Sequence, residues 1–427
     1  MKSRVLIVLI AFVIMPVVLF PVLSHAINLT GESNTYLQFR QATTDQSRLI
    51  PLYEYLNFRL DDIADNKISF HYGGWGKVDL DDRSYGRNVD ADLQYAYMSF
   101  KSDKNNIILN FGRLIVTDGG DAEKIDGVYA RTDLKYGFSV SAYAGHPVEE
   151  ILNGVGSDSI LGGRLSYQIP SLLTLGVSGL KETGGSDPRE EVGADLWLRP
   201  IKSIDITGRS TYNAVTDGWM EHAYHISMGP YSNFRFSTEA SWINYRDYFT
   251  AATVAVFNFM PGVLNPAEKL RLLGEEVSYS INDNISVSAD YKNYGYNIQG
   301  SANYFGGKVS YAVPGSGGAG FTAHRMDGQT DSLRYSEFRV YGFKKFGKTD
   351  LTLDLLDIDY DRRLNGVKNA YSASLIGGFN ITDKLRVAAD VDYYHNPVYN
   401  HDFRTLLHLI CKFDTSAGGG GGGTEAK

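Results

Sequence analysis

Apolar and polar side chains alternate in many short segments of this chain. In residues 52–61, Leu56 and Leu60 fall on one face of an extended backbone, whereas Asn57 and Arg59 fall on the other. A repeat of two residues is the period of a β-strand with one apolar and one polar face. The same alternation recurs in residues 234–243 and 285–292.

Segments of this kind predict about 22 strands, within a range of about 18 to 24. Short turns, such as residues 102–106 and 281–284, interleave with longer loops, such as residues 147–158 and 246–270. This asymmetry between the two ends of the strands is typical of bacterial outer-membrane barrels. The predicted strands start near residues 34, 51, 68, 91, 106, 125, 138, 159, 173, 191, 204, 219, 234, 271, 285, 299, 318, 333, 350, 368, 385 and 402.

A sheet that faces lipid must close on itself, because every backbone N–H and C=O group in hydrocarbon needs a hydrogen-bond partner. After residue 26 the sequence has no apolar run long enough for a transmembrane helix. The predicted fold is therefore all-β: a single closed antiparallel transmembrane β-barrel with short periplasmic turns and longer extracellular loops. We expect it in the outer membrane of a Gram-negative bacterium, in contact with outer-membrane lipids.

The two ends of the chain differ in composition from the middle. Lys2 and Arg4 precede an apolar run that is followed by Ser24-His25-Ala26, a small-x-small cleavage site, and this order is typical of a secretory signal peptide. A membrane anchor is the alternative, although the run is shorter than the roughly 20 residues that span a bilayer. We expect a signal peptide at 1–26, the barrel at 27–413 and a flexible glycine-rich periplasmic tail at 414–427.

Charge and cysteine content exclude several function classes. The chain has 41 Lys and Arg against 49 Asp and Glu, a net charge of −8, and removal of Lys2 and Arg4 would make it 39 − 49 = −10. Nucleic-acid binding needs a basic patch, so we expect no nucleic-acid partner. Cys411 is the only cysteine, which excludes an intrachain disulfide and a C-x-x-C-H haem-attachment motif. We expect no cofactor bound by this chain itself.

Residues 403–413 are predicted to form the last strand, with Phe403 and Phe413 on its apolar face and Arg404 and Lys412 on its polar face. The segment resembles the terminal strand of outer-membrane proteins, whose closing aromatic residue is the signal read by the barrel-assembly machinery. The resemblance implies that machinery as a partner and a barrel-closing strand that contains Phe403 and Phe413. Such proteins usually stop at the aromatic residue, whereas this chain continues.

Tyrosine pairs occur near the predicted strand ends, where their rings would sit at the interface between lipid and water. Aromatic residues that fill a soluble core are the alternative. The pairs are Tyr53 with Tyr55, Tyr95 with Tyr97, Tyr291 with Tyr294, and Tyr393 with Tyr394.

Polar residues that alternate with lipid-facing positions must point into the barrel. Both charge signs occur among them, so they either create a field that selects solutes or form ion pairs that fill space. The predicted pore-lining residues are Gln38, Arg40, Arg59, Arg131, Arg164, Arg209, Arg235, Glu239, Asp290, Lys292, Arg386 and Asp390.

Catalysis has one candidate pair. His225 and Ser227 would share a strand face, as a His-activated serine requires, and the pair resembles the His-x-Ser arrangement of the outer-membrane phospholipase. Met228 stands where that family has Asn, and the pair lies beside a short turn rather than a long loop. Histidine and acidic residues show no metal-ligand spacing. We expect no enzyme; an outer-membrane hydrolase is a remote alternative.

The whole pattern resembles the porin-like outer-membrane β-barrels of Gram-negative bacteria. Residues 110–149 (NFGRLIVTDGGDAEKIDGVYARTDLKYGFSVSAYAGHPVE) are also similar to a strand–loop–strand unit in the barrel subunit of porin–cytochrome electron conduits. The first resemblance implies a channel for small solutes or ions. The second implies an insulating sheath and scaffold for a multihaem c-type cytochrome, which would bring the haem for electron transfer across the membrane.

The longest connection, residues 246–270, is predicted to be the principal functional loop. It combines aromatic and apolar residues with a possible helix start at Asn265, followed by Pro266. The alternative is an additional strand formed by residues 253–259.

The predicted faces can be tested with two substitutions in one strand. Leu56→Arg should sharply reduce the yield of assembled barrel, because an arginine that faces lipid near the midplane costs about 2–4 kcal/mol. Arg59→Leu should assemble nearly as well as the unmodified protein. The measurement is the fraction of heat-modifiable, folded protein in isolated outer membranes, and equal yields of the two variants would contradict the assignment.

Overall fold

The structure is a computed structural model that describes residues 28–41, 48–64, 67–81, 88–104, 106–118, 123–148, 158–184, 189–252, 265, 267–398 and 401–415. The expected signal peptide and the tail from residue 416 onward lie outside these described residues.

Twenty-three strands make up almost all of the described chain. They are β1 (Asn28–Gln41), β2 (Arg48–Leu49), β3 (Pro51–Ile63), β4 (Ile68–Asp79), β5 (Val89–Lys101), β6 (Ile107–Val116), β7 (Glu123–Asp133), β8 (Phe138–Pro147), β9 (Ser159–Ile169), β10 (Leu173–Thr183), β11 (Arg189–Ile201), β12 (Ile204–Asn213), β13 (Gly218–Tyr231), β14 (Phe234–Asn244), β15 (Lys269–Ser280), β16 (Ile285–Tyr296), β17 (Gly300–Val313), β18 (Gly317–Gly328), β19 (Arg334–Phe346), β20 (Thr349–Leu364), β21 (Val367–Asn380), β22 (Leu385–His395) and β23 (Asp402–Asp414).

The strands close into one antiparallel ring. From β3 onward each strand pairs with the next in sequence, and β1 pairs with β3 on one side and with β23 on the other. The closing register runs from Thr30 opposite Asp414 to Phe39 opposite Thr405. The short β2 only extends the pairing at the end of β1. The barrel therefore has 22 spanning strands, as predicted.

Large apolar side chains that are exposed lie almost entirely on one face of this sheet, as shown by Phe111 (68%), Leu161 (62%) and Phe403 (58%). On the opposite face, the Arg189 guanidinium in β11 lies 2.6 Å from the Glu123 carboxylate in β7. Side chains four strands apart meet only on the concave side of a curved sheet. The apolar face is therefore the outer face of the barrel, and the polar face is its inner face.

Both ends of the described chain lie on the side of the short turns. The Leu29 N–H donates to the Thr415 hydroxyl (2.9 Å), and the Thr415 N–H donates to the Leu29 carbonyl (3.0 Å). Strand β23 thus continues through Asp414.

Most strand starts fall within two residues of their predicted positions, but β1 begins at Asn28 rather than near residue 34. The first residues of this strand include Thr30, Gly31 and Glu32. Their side chains carry too little apolar surface to show the alternation that predicts a strand. Pairing with β3 and β23 on both sides makes this segment extended.

The connection after β14 contains the helix α1 (Tyr245–Ala252), which contacts β12, β13 and β14. The Asn213 amide donates to the Asp247 carbonyl (3.1 Å) and thereby ties the helix to the end of β12. In the described part of the chain, no helix is long and apolar enough to cross a membrane.

The predicted helix start at Asn265 is wrong. The Asn265 side chain accepts the Ala267 N–H (2.9 Å), and its carbonyl accepts the Glu268 N–H (2.9 Å), so this residue forms a turn. Glu268 is only 1% exposed and accepts the N–H group of Ile298 (3.0 Å). Residues 253–264, including the alternative strand at 253–259, lie outside the described residues.

Candidate functional site: the inner face of the barrel

The strand registers place all the predicted pore-lining residues on the inner face. Arg235 and Glu239, for example, alternate with the outward Phe234 and Phe236, both of which are exposed. Their role in lining a pore stays a prediction. The residues on this face are Gln38, Arg40, Arg59, Arg131, Arg164, Arg209, Arg235, Glu239, Asp290, Lys292, Arg386 and Asp390.

Some of these side chains form ion pairs with partners on the same strand or the adjacent strand. Arg59 lies 2.6 Å from Asp61 in β3. In the same way, Arg209 in β12 lies 2.8 Å from Glu221 in β13. Such pairs neutralise the wall locally and hold long side chains flat against it.

Four other pairs reach across an entire strand, and a glycine occupies the position between the partners. Arg164 in β9 lies 2.6 Å from Asp195 in β11, above Gly176 of β10. A Cβ at Gly176 would overlap both side chains. The absence of a side chain therefore makes room for the ion pair on the inner face.

The other glycine-spanned pairs repeat this geometry. Glu239 and Lys292 (2.6 Å) meet over Gly274, Asp290 and His324 (2.8 Å) meet over Gly306, and Asp350 and Arg386 (2.8 Å) meet over Gly378. We call the four sets the glycine-spanned pairs. These pairs were not predicted from the sequence, because the partners become neighbours only through the register of three strands.

Two of the predicted pore-lining residues have an unpaired polar atom. Within the described residues, Arg40 Nε and Asp390 Oδ1 have no hydrogen-bond partner. Both atoms are buried against neighbouring side chains and are not exposed to the lumen.

The candidate catalytic pair lies on the inner face of β13. His225 is opposite Thr207 and Glu239, whereas Ser227 is opposite Asp205. No hydrogen bond joins His225 to Ser227 in the part of the chain that the structure describes. The geometry that a His-activated serine requires is therefore not formed. Groups of His, Cys, Asp and Glu that could hold a metal ion are likewise not found among the described residues.

The prediction for the tyrosine pairs is wrong for most of them. Tyr53 and Tyr55 lie on the inner face, where they alternate with the outward Leu52 and Leu56, and Tyr95 and Tyr97 also point inward. In the other two pairs only the first member, Tyr291 or Tyr393, faces outward.

Outward aromatic residues do form the girdles expected at the lipid–water interfaces. Near the short turns, the rings of Phe234 and Tyr279 lie 4.6 Å apart. At the long-loop ends, Tyr371 lies 5.8 Å from Tyr393, and Trp219 is 47% exposed. Apolar side chains fill the outer face between these rings.

The inward rings of five neighbouring strands form a group that crosses the seam where the barrel closes. Five of these rings are joined by ring contacts, and the other three (His71, Tyr95 and Tyr97) form a second set. The contacts of the whole group include stacking of Tyr36 on His408 (4.0 Å between centroids) and of His71 on Tyr97 (4.6 Å). We call this group the aromatic track; it comprises Tyr36, Tyr53, Tyr55, His71, Trp75, Tyr95, Tyr97 and His408.

The outer face has a polar exception at Glu54. The Ser33 hydroxyl donates to one carboxylate oxygen (2.5 Å) and the Thr35 hydroxyl donates to the other (2.6 Å). These two bonds satisfy the carboxylate on a face that is otherwise apolar, which lowers the cost of placing it there.

Comparisons with known proteins show the fold. No family model matches the sequence, and no curated protein matches it. Among solved structures, the ferric enterobactin receptor PfeA of Pseudomonas aeruginosa has a TM-score of 0.58 at 10% identity, with 90% of this chain and 80% of that chain covered. The siderophore receptor PirA of the same organism has a TM-score of 0.56 at 10% identity and the same coverage. OccAB4 of Acinetobacter baumannii has a TM-score of 0.44 at 10% identity, with 92% and 100% covered.

The fold is that of the Gram-negative outer-membrane barrels. Its closed sheet, apolar outer face and aromatic girdles match the requirements of a bilayer in which every strand edge must be paired. A chain with this closed sheet and apolar outer face is suited to span a lipid bilayer.

The glycine-spanned pairs can be tested in β10, where Gly176 faces inward and Gly179 faces outward. Gly176→Val should destabilise the barrel by about 0.2–1 kcal/mol, because the ends of Arg164 and Asp195 must move aside and their partly exposed ion pair is lost. Gly179→Val should have little effect, since a Cβ there makes an ordinary contact, 3.5 Å from the nearest atom. The measurement is the urea midpoint of barrels refolded in lipid vesicles, and equal losses would contradict the proposed role of Gly176.

Proposed function

We propose that this protein is a porin-like channel that lets small solutes or ions cross the outer membrane. The observation that carries the proposal is the inner face, which carries charged side chains in strands throughout the barrel, most of them held against the wall in ion pairs. Such a lining is wetted by water, and it presents both donors and acceptors to a passing solute.

The ring is wide enough for an aqueous channel. With 22 strands about 4.8 Å apart and tilted by about 40°, its backbone diameter is roughly 40 Å. Side chains on opposite walls do not meet across this distance. Most of the described ion pairs join adjacent strands or strands one apart, which is consistent with an interior that holds water.

A second candidate rests on the same width. An insulating sheath for a multihaem c-type cytochrome needs a lumen that accepts a protein, and a lining of paired charges avoids unpaired ions at such a contact. The haem would belong entirely to the partner in this case. We place this candidate second, because the polar lining supports a water-filled channel directly, whereas the partner is implied only by the resemblance of residues 110–149.

One sample separates the two candidates. The protein is purified from its native membrane in mild detergent, and the same preparation is used for haem absorption spectroscopy and single-channel recording in planar bilayers. The channel proposal expects stable ionic conductance without haem. Stoichiometric co-purified haem with little conductance would overturn it in favour of the sheath.

An inner-face ion pair provides a test of passage along the wall. Glu239→Lys adds a second cation beside Lys292 and should shift the reversal potential in a KCl gradient toward anion preference. Lys292→Glu should shift it toward cation preference. The double variant Glu239→Lys/Lys292→Glu restores a pair with exchanged signs, and its reversal potential should return near that of the unmodified protein.

Conductance that responds to neither single substitution would contradict an aqueous path past this site. Folding of each variant is checked by its heat-modifiable mobility, because a misassembled barrel would also lose conductance.

A further inference from the structure

We infer that the aromatic track is a binding site for the sugar rings of neutral oligosaccharides. The inference rests on the proposed channel, because the track lies on the inner face and is reached from the lumen. Its rings belong to five neighbouring strands, β23, β1, β3, β4 and β5.

Five rings of the track form a connected run. Trp75 lies 6.4 Å from Tyr55 and 6.2 Å from Tyr53, measured between centroids. Tyr55 in turn lies 5.5 Å from Tyr36, which is stacked on His408. The run extends through the diagonal neighbours Tyr36 and Tyr55, so it is longer than any single cross-strand pair.

The track also runs along the strands. Tyr55 is opposite Trp75, Asn57 is opposite Gly73, and Arg59 is opposite His71. From Tyr53 to the level of Arg59 this is six residues, or roughly 20 Å at about 3.3 Å per residue. A ligand with several rings in a row therefore fits the track better than a ligand with one.

Gly73 indicates that a ring of the track lies flat on the wall. A Cβ at Gly73 would overlap the ring of Tyr95, which is opposite it in β5. A ring that rests on bare backbone presents its other face to the lumen. Flat aromatic faces of this kind bind ligands by stacking, which for nucleic-acid bases contributes about 1–3 kcal/mol per ring.

The charges beside the track favour a neutral ligand. Lys77 lies 3.3 Å from Asp79 at the long-loop end of β4, and Arg59 lies 2.6 Å from Asp61 toward the short turns. Lys77 and Arg59 each have a partner of opposite sign, so neither charge is left to select an ionic ligand at this part of the track. Donors and acceptors beside apolar ring faces match a pyranose, which has apolar C–H faces and hydroxyl groups at its edge.

Maltohexaose is the probe. In single-channel recordings, we expect it to interrupt the current reversibly and in proportion to its concentration. Trp75→Leu should weaken this block roughly tenfold, the loss expected for about 1.4 kcal/mol of stacking. Trp197→Leu is the matched control, since Trp197 also lies on the inner face but contacts Arg199 (5.3 Å) outside the track. Maltohexaose should block the current through this control variant as strongly as it blocks the current through the unmodified protein.

Tyr55→Leu provides a second variant in case Trp75→Leu fails to assemble, and it should weaken the block to a similar extent. Tyr55→Phe retains the ring and should not. Heat-modifiable mobility shows whether each variant is folded, which separates loss of binding from loss of the aromatic contacts at the closing seam.

Binding is also measured without current, by equilibrium dialysis of maltohexaose against the detergent-solubilised protein. If the barrel does not conduct but still binds maltohexaose through Trp75, the channel proposal fails and the site stands. If it conducts but shows neither block nor binding, the site is overturned and the channel stands. Block by tetramethylammonium or benzoate in place of maltohexaose would also overturn the assignment to sugars.

Discussion

The pairing of β1 with β23 is the constraint on which the rest of the structure depends. A strand edge left open in hydrocarbon would expose a row of N–H and C=O groups without partners, at a cost of several kcal/mol for each group. The ten-residue register between these strands removes the last edge. Closure also decides which side chains are lipid-facing and which are enclosed, so the chemistry of the inner face follows from it.

The alternation of side chains made much of this architecture predictable. A strand with one apolar face, such as residues 234–243, can place that face against lipid and its polar face against water in only one orientation. Its extended structure and the direction of its side chains therefore follow from the local sequence. Strand number and most strand starts were predicted for the same reason. The first residues of β1 were not predicted to be part of the strand, because Thr30, Gly31 and Glu32 become extended only through pairing with both neighbouring strands. Asn265 was misassigned because the same side chain can cap a helix or close a turn.

Properties of the inner face were harder to predict, because they depend on which residues come side by side. Alternation placed Arg164 inward but did not identify Asp195 as its partner, 31 positions later. The tyrosines were assigned to the interface by their closeness to strand ends, although the alternation around Leu56 already places Tyr55 with Arg59. For these residues the two-residue period was a better guide than the preference of aromatic rings for membrane interfaces. The hydrogen bonds that satisfy the outward Glu54 carboxylate could not be predicted, since its hydroxyl partners lie in another strand.

The glycine-spanned pairs have a consequence for how the barrel is assembled. Each pair joins the first and third of three consecutive strands, so it can form only after the third strand has been added. A slip of one residue would turn the glycine outward and place a side chain between the two charges. Each pair therefore forms only when all three of its strands are in the correct register. With four such triplets of strands spread between β9 and β22, a misaligned strand in any of these regions would lose the contact of its pair as well as the alternation of its faces.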